Sequence, residues 1–299
     1  GGSVESSGSI TATAPSAGSS ASVLIQAAYA KVDGAIRAEG GSVKVSGSDS
    51  VELGGAIDVS SEVGNGGSAM VEGANVSLAS SAAIDASGAT GGGSVKVGGG
   101  FQGKDATIGN ATTTTVAEGA AISVDALESG DAGTAIVWAD DSTLFRGDVS
   151  ARAKGAVGNG GFVEVSGKKE LTFDGTVSTL AENGENGTLL LDPGDLSISN
   201  AGAAANNINV GVLTTALGGG NVVISTDPGI AGDGTISVLD AVSYSTTNSL
   251  ALLAHGNVEF SAGIQNSSSG DVTVIAGWNG SQYTAGAPGT AETGNVTFS

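Results

Sequence analysis

The chain has 299 residues with 52 Gly, 4 Pro and no Cys, and its 10 Lys and Arg stand against 30 Asp and Glu, for a formal charge of -20. So much Gly beside so little Pro fits neither an ordinary globular domain, nor collagen, nor a Pro-rich linker. The acidic balance argues against nucleic acid and anionic membrane surfaces as partners, and no apolar run reaches the ~18 residues that a membrane-inserted helix needs.

The opening stretch, GGSVESSGSITATAP, carries neither the basic nor the apolar segment of a signal peptide, so an exported protein of this sequence is expected to be a mature or trimmed piece. From Gly40 one line is then written repeatedly. GGSVKVSGSDSVELGGAIDVS at Gly40 returns as GGSAMVEGANVSLASSAAIDASG at Gly66, GGGSVKV at Gly91, AGTAIVW at Ala132, GGFVEVSGKKELTFDGTVST at Gly160 and NGTLLLDP at Asn186. The Gly before each apolar triplet (Gly41, Gly67, Gly93, Gly133, Gly161, Gly187) sets a unit of about 26 residues with one long interval, and a period of this size marks a repeat architecture. Val43, Val45, Val51, Leu53 and Ile57 recur at the same offsets as Val163, Val165, Leu171, Phe173 and Val177. Three short strands are therefore expected per unit, each alternating apolar with polar. One unit cannot bury its own inward residues. Stacking solves this in an all-β parallel β-helix, where each residue rests on its counterpart in the coil before. About eleven coils follow, a rod on the order of 50 Å long at the ~4.8 Å spacing between strands.

Candidate sites appear along these coils. Arg37, Asp58 and Asp85 take equivalent places after Ile36, Ile57 and Ile84. Two stacked carboxylates about 5 Å apart would suit a retaining glycosidase. With Arg37 in the same column, the simpler reading is charge compensation between coils. The segment GGGFQGKDATIGNATTTT, from Gly98 to Thr115, is an insertion expected to leave the rod as a loop. Its Thr112–Thr115 run raises an ice-binding face, which fails because no Thr recurs once per coil. Arg146-Gly147-Asp148 is an RGD triplet between two residues, Phe145 and Val149, whose register faces inward. It would sit at an exposed corner as an integrin-type ligand, although a tripeptide match arises readily by chance.

The stretch from Trp138 to Ser199 resembles a segment typical of filamentous haemagglutinin-like exoproteins of Gram-negative bacteria, the secreted partners of two-partner secretion systems and related adhesins. WAD, GGFVEVSG and GTLLLDP carry the resemblance, which is strong over about sixty residues and loose elsewhere. It implies a right-handed parallel β-helix, export unfolded through an outer-membrane transporter, and a role in adhesion or surface assembly. The family's N-terminal secretion domain, with its Asn-Pro motif, has no counterpart in the sequence, which is expected of a fragment. Absence of Cys suits a chain that must cross the periplasm without cross-linking.

Beyond Asp192 and Asp195, read as a plain DPGD turn in preference to a Ca²⁺ site, residues 1–199 give way to a less regular β-helix over 200–299. A break falls at 200–220, where NNINVGVLTTAL is expected to form a short helix, the alternative being a β-arc. Strand signals return at Asn221, Thr235, Asn248 and Gly270. The lone His255 and the missing Cys leave a transition metal without its usual ligands, and Trp138, Trp278, Tyr244 and Tyr283 are too scattered to form a sugar platform. The ends show no polar cap, so either the native chain continues or rods join end to end. The sequence is thus read as a secreted or surface-attached adhesin or structural filament. It is expected to bind no cofactor and to perform no catalysis, with an outer-membrane transporter and a host receptor or glycan as partners. A β-helical polysaccharide lyase or glycosidase, and a self-polymerising matrix protein, are the alternatives.

Overall fold

The computed structural model describes residues 2–14, 20–226, 233–280 and 293–299. Strands of successive coils pair in parallel and form a β-helix. The spine of its 14-stranded sheet passes through Ser3–Ser6, Ser22–Val32, Ser42–Leu53, Ser68–Leu78, Ser94–Val97, Thr134–Ala139, Phe162–Gly167, Thr188–Leu191, Asn221–Ser225, Leu250–Ala254 and Val272–Ala276. Among the described residues these rungs number eleven, in line with the expected number of coils. A seven-stranded sheet from Ser9–Thr11 to Thr176–Ser178 lines another side. Towards the C-terminus a five-stranded sheet, from Asn207–Asn209 to Val296–Phe298, follows the side of Glu170–Phe173.

The repeated glycines fix the register. Ser42 pairs with Ser68, Ser68 with Ser94, Ser94 with Thr134, Thr134 with Phe162 and Phe162 with Thr188, each the residue just after a Gly of the repeat. Those glycines form a column that admits no side chain. A Cβ on Gly67 would lie 2.2 Å from the carbonyl oxygen of Gly41, and one on Gly133 would lie 2.0 Å from that of Gly93. The backbone of one coil rests directly on the next at this corner, which is why the line must repeat there.

Inward residues stack in columns of like shape. Ile36, Ile57, Ile84, Ile122, Val149 and Val177 lie one above another and are buried, each burial contributing about 1.5–3 kcal/mol. Leu53, Leu78, Val116, Phe145 and Phe173 form a second column, in which the two Phe rings stack with centroids 5.5 Å apart and planes at 5°. On the far side of that second column runs another holding Thr114 and Thr143, whose buried hydroxyls donate to the carbonyls of Trp138 and Ser166, each at 2.7 Å.

Two expectations need correction. Three separate strands per unit hold only in later coils; from Ser22 to Leu78 the first two fuse into strands of 11 or 12 residues, with a register shift between Gly47 and Ser50. A Gly permits that bulge, since a Cβ on Gly47 would lie 2.2 Å from the Ser50 carbonyl. Likewise the Thr run does not leave the rod. Thr113–Val116 is a strand, paired on one side with Asn75–Leu78 and on the other with Ser142–Phe145. The excursion therefore ends before Thr113.

The 200–220 stretch carries helix α1, Val210–Gly219, whose N-cap Asn209 side chain accepts from Gly211 N at 2.8 Å. Leu213, Ala216 and Leu217 form its buried stripe. The helix packs between Thr176–Ser178, where the seven-stranded sheet stops, and Val242–Tyr244. Among the described residues no helix is long and apolar enough to cross a membrane.

Candidate functional site

Along the rod, the outward face of the spine changes character. One outward row runs Leu24, Lys44, Met70, Lys96 and Ile136, then Glu164, Leu190, Val223 and Ala251. Early rungs put cations on this row and alternate apolar with polar. Later rungs replace them with unbroken apolar runs, as in Thr188–Leu191 and Leu250–Ala254, so both faces of the strand are covered. Leu190, Val223, Ala251, Leu253 and Trp278 form an apolar cluster outside the main core, with Phe162 and Ile275 packed against it. Beside it lies a groove of about 640 Å³, lined by Phe101, Phe162, Leu190, Val223, Leu253 and Trp278, with Thr134, Thr188 and Asn221 contributing polar atoms.

The insertion forms one wall of this groove. It turns through the short 3-10 segment Phe101–Gly103 and lies flat on the sheet, so the expectation of a loop leaving the rod is corrected. Its backbone seats on the buried indole of Trp138: a Cβ on Gly99 or Gly103 would lie 2.6 or 2.7 Å from that ring. Phe101 packs edge-on against Phe162, centroids 5.8 Å apart.

Polar contacts tie the insertion to five successive rungs. Gly109 N donates to Glu72 Oε2 at 3.3 Å, and Lys96 Nζ meets Asp105 Oδ2 at 2.5 Å. Asn110 Nδ2 donates to Asp140 Oδ1 at 3.1 Å, and Gln102 Nε2 to Asp192 Oδ2 at 3.3 Å. Gln102 N donates to both oxygens of Glu164, at 3.2 and 3.1 Å. To aim that N–H, Gln102 adopts φ 51°, ψ 26°, a left-handed conformation that L-residues other than Gly rarely take. Glu164 is wholly buried, and burial pushes its carboxyl up to about 8, with the Asp192 charge acting in the same direction. The Gln102 N–H and Lys104 oppose that rise without overcoming it. Hydrogen bonds from Lys96 and Thr107 hold the Asp105 carboxyl well below the usual range.

Of the residues singled out from sequence, Asp192, Trp138 and Trp278 come together at the insertion and groove, and the remainder are dispersed. Arg146 and Asp148 are exposed, whereas Gly147 is buried between strands Ser142–Phe145 and Asp148–Ser150, so the triplet is a flat corner of the stack. Arg146 Nε lies 3.8 Å from Asp174 Oδ2, and Asp148 accepts a hydrogen bond from Thr176 Oγ1 in the following coil. Arg37 Nη1 pairs with Asp58 Oδ2 at 2.9 Å. Asp58 and Asp85 each accept bonds from the backbone and hydroxyl of a Ser two residues on. Asp192 accepts from Ser225 Oγ at 2.7 Å, and Asp195 from Thr235 N at 2.8 Å. His255 Nδ1 lies 3.0 Å from the Trp278 carbonyl, and Tyr283 lies outside the described residues. No group of three or more metal-capable side chains forms among the described residues.

Glu164, Gln102 and the apolar row escaped the sequence reading. The signal was present in AIVW, LLL, VVI and ALL, where alternation fails and both faces of the strand must be covered.

No protein-family model matches the chain, and no curated protein matches it. Among solved structures, the crystal structure of the HMW1 secretion domain from Haemophilus influenzae is similar, with 28% sequence identity and a TM-score of 0.49. The match covers 60% of this chain and 48% of that one, so this chain spans about half the length of the structure it matches.

Proposed function

We propose that the chain is part of a secreted or surface-attached adhesin-like exoprotein, in which a rigid β-helical shaft presents binding surfaces at a distance from the cell. The observation that carries this reading is the run of eleven rungs stacked in register, because such a stack converts sequence length into reach. The acidic surface and the absence of Cys agree with it: the first keeps rods soluble, and the second suits passage through the periplasm before folding. The resemblance between Trp138 and Ser199 adds an outer-membrane transporter as the export partner.

The groove beside Phe162 and Trp278 and the Arg146-Gly147-Asp148 corner are the two surfaces assigned to receptor or glycan contact. Saturable binding of the labelled chain to epithelial cells or immobilised glycans is expected. Asp148→Glu would weaken binding if the corner serves, and Phe162→Ala if the groove does. A chain that binds no cell or glycan surface better than an acidic globular control would sink the adhesive reading. Turnover of a capsule or host polysaccharide would replace it with the enzymatic alternative, and concentration-dependent fibres in electron micrographs would favour a self-polymerising matrix.

A further inference from the structure

We propose that residues 98–112 are a releasable strap, which closes over Glu164 while that carboxyl is uncharged and lets go when burial beside Asp192 can no longer be borne by its ionised form. Coils in a solenoid ordinarily touch only their immediate neighbours. This segment departs from that rule, since its contacts reach Glu72, Lys96, Asp140, Glu164 and Asp192 on successive rungs. Most of those contacts are exposed or partly buried polar pairs, each weak alone. Glu164 differs. It is the fully buried charged-type side chain beneath the segment, and the left-handed Gln102 is held over it by its two N–H contacts. A non-Gly residue in that conformation is kept only where surrounding contacts over-determine it.

The groups facing Glu164 decide the direction of the switch. Asp192, beyond the next rung, carries like charge, whereas Lys104 on the segment itself is the weakest of the influences acting on it. An ionised Glu164 would sit dehydrated beside Asp192, and the Gln102 N–H, although it favours the carboxylate, does not outweigh that burial. Burial raises the carboxyl to about 8, so it is protonated at neutral pH and the segment stays down. Above that pH, lifting the segment admits water to the carboxylate and relieves the cost. Release also uncovers the indole of Trp138 and separates Phe101 from Phe162, opening the adjoining end of the groove.

Hydrogen exchange of the full chain, corrected for the intrinsic pH dependence of amide exchange, tests the proposal. Between pH 6.5 and 9.5, protection of peptides covering 98–112 is expected to fall at least tenfold, while peptides from Ser42–Leu53 keep theirs. Glu164→Gln, an uncharged isostere, should hold its protection across the range, and Asp192→Asn should move release to higher pH if ionisation of Glu164 is then disfavoured, or to lower pH if removal of the like charge eases it; the proposal requires the latter. Wild-type protection that does not change with pH, or a folded Glu164→Gln that loses it as steeply as wild type, would overturn the strap. The wild-type series needs no variant, so the test stands even if a substituted chain fails to fold.

Discussion

Replacing Gly133 by Ala tests the glycine column directly. The new Cβ would lie 2.0 Å from the Gly93 carbonyl oxygen and 2.8 Å from the Gly92 carbonyl carbon, both backbone atoms with no rotamer to relieve the overlap. The coils must then part by about 1.4 Å or more at this corner to reach ordinary van der Waals contact. Overpacking of this kind costs about 1–3 kcal/mol. Parting the coils also strains the bond from Thr134 N to Gly93 O, now 3.0 Å, worth about 1 kcal/mol. The expected destabilisation is therefore about 2–4 kcal/mol. Gly263→Ala is the control, since a Cβ there meets nothing within 4 Å. Urea unfolding followed by circular dichroism measures both. Should Gly133→Ala unfold within ~0.5 kcal/mol of Gly263→Ala, the close approach of coils would not be what the repeated Gly serves.

Phe173→Ala empties half of the stacked pair with Phe145 and should cost about 3–5 kcal/mol, read as a lower urea midpoint. Arg37→Ala breaks a pair whose side chains are 46% and 29% exposed, so a loss below ~1 kcal/mol is expected by the same assay. Glu164 binds its proton more tightly folded, near pH 8, than unfolded, near 4.5, so its stabilising effect is full below pH 4.5 and is lost as pH rises through 8. At ~1.4 kcal/mol per pH unit the wild type should lose no more than about 5 kcal/mol across that window relative to Glu164→Gln. Parallel pH-stability curves for the two proteins would refute the assignment.

Register was legible in the sequence because its two markers are local. A Gly at a fixed corner followed by an apolar triplet identifies the rung, and Val43 with Val163 then fall into one column without further information. The outer face was harder to read, since an unbroken run such as Leu189, Leu190 and Leu191 signals a strand equally well whether one face or two are buried. The docking of the insertion was hidden for another reason. Gln102 and Glu164 stand 62 residues apart, and nothing in either neighbourhood announces the other. The RGD corner shows the converse: the triplet is plain in the sequence, yet its charges are already engaged by Asp174 and Thr176.

The bare glycine corner also acts as an indexing edge for the whole rod. Because alignment is set there, spare residues can be hung elsewhere on a coil without disturbing its neighbours, as the long interval between Gly93 and Gly133 shows. A foreign peptide grafted between Gly98 and Thr112 would be carried on the flank, while the backbone contacts of the corner keep the axis true.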